Sequence, residues 1–216
     1  MNILGIEEAG RGPVIGPLVM VGLLIDEEDE EKLVKIKVKD SKLLTPKQRE
    51  ALYDKIIDIA KDYKIYIIQP NEIDLAVKGE GGENLNWLEA DKSADLINEL
   101  RPDKVILDCP SPNKKAYVDY IKKRLEIEPE IIAEHKADVK YPLVSAASII
   151  AKVTRDKEIK RIKDEFDVDF GSGYPADPKT KKFLEENYDK YPFFRKSWYT
   201  YKQVVKKQQQ KSLNGF

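Results

Sequence analysis

The segment Lys104–Asp108 (KVILD) is five residues long, apolar through its middle and closed by a carboxylate. A run this short, bounded by turn residues, reads as a buried strand, and its terminal carboxylate is costly unless it meets a cation or donors beyond the apolar layer. It lies between two segments with helical spacing, roughly Asn84–Leu100 and Lys114–Leu125. A buried strand between helices is the mark of an α/β sheet domain. Strands are expected at Asn2–Glu7, Pro17–Asp26, Tyr63–Ile68 and Glu130–His135, and helices at Glu27–Ile36, Pro46–Asp62 (with Thr45 as N-cap) and Leu143–Phe166. Between the first two strands, Ala9–Gly16 (AGRGPVIG) has the glycines and proline of a tight turn. Beyond the irregular link Gly171–Pro178 the chain reads as shorter helices ending in a Gln/Lys-rich, disordered tail.

With 216 residues, 41% of them hydrophobic, the chain has material for one sizeable core. The 38 Lys+Arg nearly cancel the 39 Asp+Glu, so the signature of a strongly basic nucleic-acid binder is missing. A basic groove can still coexist with acidic helices elsewhere. A single cysteine, Cys109, excludes an intramolecular disulfide and suits a reducing cytoplasm. No apolar run approaches the ~20 residues of a membrane span, and Met1–Ile6 is too short for a signal peptide.

Acidic residues stand where strands end or helices begin: Glu7 with Glu8, Asp108, and Asp138. In open α/β sheets, sites form beyond the carboxyl ends of strands, where such groups converge from distant parts of the chain. Hard divalent cations such as Mg²⁺ take one or two carboxylates each, so four suit two ions. Among 39 acidic residues, however, most are solvated surface, and the pattern alone does not decide.

The flanking blocks carry a resemblance. Gly5-Ile6-Glu7-Glu8-Ala9-Gly10-Arg11-Gly12-Pro13 with Gly16-Pro17 is followed by Asp40-Ser41-Lys42, Asp108 and His135-Lys136-Ala137-Asp138. Ser145-Ala146-Ala147-Ser148-Ile149-Ile150-Ala151-Lys152 and Gly171-Ser172-Gly173-Tyr174-Pro175 complete the series. In this order the blocks resemble the type 2 ribonuclease H family (ribonuclease HII) in its archaeal form. One position departs: the family pattern begins Gly-Ile-Asp-Glu, and Glu7 stands where the aspartate belongs. The extra methylene moves a carboxylate by about 1 Å, and a shift of that size can cost on the order of 100-fold in rate.

The resemblance implies a ribonuclease H-like mixed β-sheet flanked by helices, with a small helical C-terminal appendage. It implies a catalytic domain over residues 1–170, a substrate-binding appendage over 171–207 and a flexible tail over 208–216. It implies two Mg²⁺ or Mn²⁺ ions held by Glu7, Glu8, Asp108 and Asp138. Asp156 either assists one metal or is a surface carboxylate within Arg155-Asp156-Lys157. The implied reaction is hydrolysis of the RNA strand of RNA/DNA hybrids, with cutting 5′ of single ribonucleotides in duplex DNA, leaving 3′-hydroxyl and 5′-phosphate ends. Gly10, Arg11 and Gly12 are the implied reader of the ribose 2′-hydroxyl, and Tyr174 the ring that stacks on the following deoxyribose. Ser41, Lys42, Ser148 and Lys152 are the implied phosphate contacts. Lys152 falls four residues after Ser148, on one helix face.

Other residues keep two readings. Arg195 and Trp198 either extend a duplex groove or, among Phe193, Phe194 and Tyr199, belong to the core. His135 is placed for proton transfer near Asp138, while Cys109 reads as a small packed apolar residue. Gln210, Leu213 and Phe216 are spaced as in the sliding-clamp binding motif, whose second aromatic falls beyond Phe216. A monomer is expected. The rival readings are another metal nuclease of the same superfamily, a small-molecule phosphohydrolase, and a catalytically impaired binder of RNA–DNA junctions damaged at Glu7.

Overall fold

The computed structural model describes residues 1–38, 44–78 and 85–213, with side chains through residue 210. Five strands form one mixed sheet: β1 (Asn2–Ala9), β2 (Leu18–Asp26), β3 (Asp62–Ile68), β4 (Lys104–Asp108) and β5 (Glu130–Glu134). Their spatial order is β3-β2-β1-β4-β5. β2 pairs antiparallel with both β1 and β3, whereas β4 pairs parallel with β1 and β5.

The alternation of side chains along a strand explains how the sheet is covered on both faces. Leu18, Met20 and Leu24 of β2 join one core, with α4 (Leu85–Leu100) and α5 (Lys114–Lys122) laid over it. Val19, Val21, Leu23 and Ile25 join the other, under α1 (Glu30–Lys35), α2 (Pro46–Ile59) and α7 (Pro142–Phe166). The N-terminal half of α7 is rich in alanine and serine, and it lies close against β1. A Cβ on Gly5 would sit 2.7 Å from Leu143 Cγ, so glycine is what permits this approach. A third core gathers Val14, Ile15, Ile159 and Ile162 with Phe170, Leu184, Phe193 and Phe194. It joins the C-terminal segment, including α8 (Pro178–Asn187) and α9 (Tyr199–Leu213), to the turn after β1 and the far half of α7.

Several boundaries differ from the sequence reading. A helix α3 (Pro70–Lys78) was not foreseen, although Pro70 at its start is a helix-opening signal. α2 stops at Ile59, because Lys61 N–H bonds to Leu24 O and Asp62 already pairs in β3. α5 ends at Lys122, and turn hydrogen bonds from Arg124 and Leu125 close it. Glu27–Asp29 forms a 3₁₀ turn before α1. The expected disordered tail is helical as far as Leu213, and the expected boundary at 207/208 falls inside α9. Among the described residues no helix is long and apolar enough to cross a membrane.

Candidate active site

β1 and β4 run parallel with Ile6 opposite Leu107, which brings Glu7 level with Asp108 at adjacent carboxyl ends. Alternation starts Glu7 from the α7 face, with Ile3 and Ala9, and Glu8 from the α4 face, with Leu4 and Ile6. The carboxylates nonetheless converge: one oxygen from each of Glu7, Glu8 and Asp108 lies within 4.8 Å of the others. The longer side chain of Glu7 therefore still reaches the cluster. Asp138 falls outside this trio, in α6 (Ala137–Lys140), but is buried close enough for its charge to act on Glu7 and Glu8. The Ala137 backbone N–H donates to Asp108 Oδ1 at 2.7 Å, anchoring the start of α6 to the end of β4.

These carboxylates are held where their charge is costly. Burial pushes the Glu7 carboxyl well above its ordinary range, the charges of Glu8, Asp108 and Asp138 add to this, and Lys152 opposes it. Glu8 is raised to about 7, by burial and then by Asp108, with Arg11 opposing. Glu7 Oε2 is buried without a hydrogen-bond partner. An orphaned buried oxygen costs roughly 1–3 kcal/mol and more when charged, unless a cation completes it. Three converging carboxylates, one of them with an orphaned oxygen, are the donor chemistry that a hard divalent cation requires. The residues fit a metal.

A cleft of about 460 Å³ opens beside the cluster, lined by Glu7, Glu8, Gly10, Arg11, Gly12, Arg49, Lys152, Arg155, Asp156 and Tyr174. Lys152 Nζ donates to Ser148 Oγ at 3.1 Å, and Ser148 itself is buried. Tyr174 is exposed, with the Arg155 guanidinium 5.3 Å from its ring centre. Arg155 is buried, and its Nε and Nη2 have no hydrogen-bond partner. Asp156 pairs with Arg49 at 3.3 Å and stands apart from the carboxylate trio. Arg11 is held on the other side by Glu89, at 2.9 Å from its Nε, and by Asn86 Oδ1. Ser41 and Lys42 lie outside the described residues, as do the Leu213 side chain and Phe216. Gln210 sits in α9.

The open alternative at Arg195 now resolves. The side chain is fully buried, so it extends no groove. Its guanidinium donates to the carbonyls of Gly16 (2.9 Å), Arg11 (3.1 Å) and Gly10 (2.7 Å). Trp198 Nε1 donates to Gly12 O at 3.2 Å. Cys109 is a packed thiol whose pKa burial raises, and its carbonyl accepts from His135 Nδ1 at 2.9 Å. Sequence reasoning missed Arg49, Glu89 and Arg155. Arg155 had a legible signal, since it follows Ser148 and Lys152 at helical spacing.

A ribonuclease HII family model matches residues 4–201. The ribonuclease HII of Pyrococcus horikoshii is 49% identical over 210 residues, covering 94% of this chain and 93% of that protein. The crystal structure of ribonuclease H2 from Pyrococcus horikoshii OT3 superposes with a TM-score of 0.87 at 47% identity, covering 96% of this chain and 98% of that one. The ribonuclease HII in a complex with PCNA from Archaeoglobus fulgidus superposes with a TM-score of 0.83 at 37% identity, covering 92% and 95%. With a match across nearly its whole length and a carboxylate cluster that fits a divalent metal, the chain belongs to the ribonuclease HII family of metal-dependent endoribonucleases, which cut the RNA of RNA–DNA hybrids.

Proposed function

We propose that this protein incises duplex DNA 5′ of single embedded ribonucleotides, as well as RNA tracts in hybrids, by two-metal hydrolysis that leaves 3′-hydroxyl and 5′-phosphate ends. The observation that carries this reading is the convergence of Glu7, Glu8 and Asp108 oxygens within 4.8 Å, beside a cleft walled by cations. Glu7, Glu8, Asp108 and Asp138 would hold the metals, Mg²⁺ or Mn²⁺. When bound, such cations lower the pKa of a water and stabilise a departing 3′-oxygen.

The remaining work falls to the protein's own groups. Lys152 and Arg155 line the cleft on one face of α7 and are placed to receive phosphate oxygens, with Ser148 steadying the lysine. Ser41 and Lys42 are assigned the same role from the sequence resemblance alone. The 2′-hydroxyl is what tells RNA from DNA, and the exposed turn at Gly12 allows the backbone to approach it. Tyr174, whose ring a Cβ on Gly12 would meet at ordinary contact distance, closes the cleft where the next sugar would lie. A 2′-hydroxyl on that sugar would crowd the ring, which favours the RNA–DNA junction. Asp156 is assigned to holding Arg49, with any metal contact secondary.

We further propose a soluble cytoplasmic monomer, with a catalytic domain over 1–170 and a substrate-binding segment over 171–207. Residues 208–216 form a clamp-binding tail through Gln210, Leu213 and Phe216. The relative solved with PCNA supports the clamp assignment.

The experiment is a DNA duplex carrying one ribonucleotide, incubated with the protein and with Glu7→Asp, in Mg²⁺ and in Mn²⁺. The expected result is a nick 5′ of the ribonucleotide with a 3′-hydroxyl end, formed faster by the variant. No cut by either protein in either metal would sink the reading.

A further inference from the structure

We infer that Arg195 is a positioning residue for ribose recognition: from beneath the Gly10-Arg11-Gly12 turn it fixes the direction in which two backbone N–H groups point. The inference rests on the proposed role of this turn as the 2′-hydroxyl reader.

The bonding is directional. Arg195 is among the largest fully buried side chains, and its donors go to three backbone carbonyls, those of Gly10, Arg11 and Gly16. Trp198 adds a donor to the Gly12 carbonyl and lies with its ring 4.9 Å from the Arg195 guanidinium. No peptide bond in the described chain is cis. In a planar trans peptide the C=O of one residue and the N–H of the next point in opposite directions. Drawing the Gly10 and Arg11 carbonyls towards Arg195 therefore sends the N–H groups of Arg11 and Gly12 away from it. Gly10, Arg11 and Gly12 all line the cleft, whereas Arg195 does not. A glycine-rich turn has no preferred direction of its own, since Gly10 sits at φ +89° and its backbone is freer than that of other residues. The guanidinium fork, with donors set in one plane, fixes the direction from outside.

The brace is itself braced. The backbone N–H of Arg195 bonds to Val14 O at 2.9 Å, and Gly16 N–H to Phe193 O at 2.9 Å. Val14 and Ile15 donate in turn to the carbonyl of Gly173, the residue before Tyr174. On the other side, the buried Asp74 of α3 accepts from the N–H groups of Lys196 and Ser197, both at 2.8 Å. A carboxylate bonded to successive N–H groups holds the stretch that carries Arg195 and Trp198. The helix missed in the sequence thus fastens the reader from behind, and the same strip ties the turn to Tyr174.

The test compares equilibrium binding in Ca²⁺ to a duplex with one ribonucleotide and to the same duplex in DNA alone. The proteins are the unaltered chain, Arg195→Lys and Trp198→Phe. Arg195→Lys keeps the charge but loses the planar fork; Trp198→Phe keeps the ring but loses one donor at the edge. The ribonucleotide-to-DNA affinity ratio should fall about tenfold in Arg195→Lys and about threefold in Trp198→Phe, with DNA affinity within about twofold throughout. Should Arg195→Lys fail to fold, as circular dichroism would reveal, Trp198→Phe decides alone. Equal losses on both duplexes, or an unchanged ratio in folded variants, overturns the brace while leaving the reader intact. A ratio near one in the unaltered protein overturns the reader, and the brace with it.

Discussion

The backbone N–H of Ala137 reaches Asp108 Oδ1 at 2.7 Å, so a carboxylate at the end of β4 also caps the short helix that carries Asp138. Lys136, at φ +56°, turns the chain to make this possible. Asparagine at 108 keeps an acceptor oxygen and loses the charge; alanine loses both. Asp108→Asn should therefore fold normally, lose the rise in unfolding temperature that Mg²⁺ or Mn²⁺ gives, and cut on the order of 100-fold more slowly or worse. Asp108→Ala should unfold about 1–3 kcal/mol below Asp108→Asn, because the buried Ala137 N–H is left unsatisfied. Urea unfolding of both variants checks this, and equal stabilities would show that the bond does not anchor α6.

The crowded carboxylates set a pH dependence. Glu7 and Glu8 have folded-state pKa values raised by burial and by neighbouring carboxylates, Glu8 from 4.5 to about 7. Through that interval the folded chain binds more protons than the unfolded chain, so these groups make metal-free stability fall as pH rises. Metal capture requires the deprotonated forms, so affinity should climb over the same interval and binding should release protons. Thermal melts of metal-free protein between about pH 5 and 8 should slope downward, and Glu8→Gln should flatten the slope. Calorimetry in two buffers of different ionisation enthalpy counts the protons released. An upward slope in the unaltered protein contradicts the account.

What the sequence made legible, and what it hid, follows from the range of the interactions. β4 was read to the residue because an apolar run ending on a carboxylate is a local signal, and the helices and strands around it followed from periodicity. The four carboxylates proposed as ligands stood out by their motif blocks, but the place of Asp138, outside the 4.8 Å trio, depends on how α6 is hung from Asp108. Arg195 illustrates the limit: three of its acceptors lie in Gly10, Arg11 and Gly16, some 180 residues earlier in the chain. Nothing near an arginine flanked by Phe194 and Lys196 announces that. Glu89 is similar, a buried carboxylate on α4 whose partner, Arg11, comes from the turn after β1.

Gly10 and Gly12 should separate folding from recognition. Gly10 sits at φ +89°, and a Cβ there would come within 2.5 Å of Arg155 Cδ and 2.8 Å of Pro17 O. Gly10→Ala combines a disfavoured backbone with a clash, and a loss of about 1–3 kcal/mol is expected. A Cβ on Gly12 meets only the Tyr174 ring, at 3.7 Å, which is ordinary contact. Gly12→Ala should melt within a degree or two of the unaltered protein, yet its methyl would stand where a ribose must approach the backbone. Its kcat/KM on a single ribonucleotide should fall about tenfold or more. Undiminished kcat/KM in a stable Gly12→Ala would move ribose recognition away from this turn.

Arg155 places a cation where the protein itself leaves it incomplete. It is 6% exposed, its Nε and Nη2 lack hydrogen-bond partners, and burial holds its pKa below the usual range. A guanidinium in that condition lowers the stability of the free protein, and a phosphate in the cleft that Arg155 lines would offset part of the cost through its charge. Arg155→Met preserves much of the stem that packs beside Gly10 and removes the charge. Its unfolding temperature should therefore hold or rise, while KM for a ribonucleotide-containing duplex increases about tenfold or more. The slope of log affinity against log salt should shrink by about one phosphate contact. Lys152→Met, removing a second cation from the same face, should shrink it similarly, but with no gain in stability, since Lys152 Nζ already bonds to Ser148. A fall in stability of Arg155→Met with KM and salt slope unchanged would make the arginine a packing residue and leave Lys152 as the phosphate contact on α7.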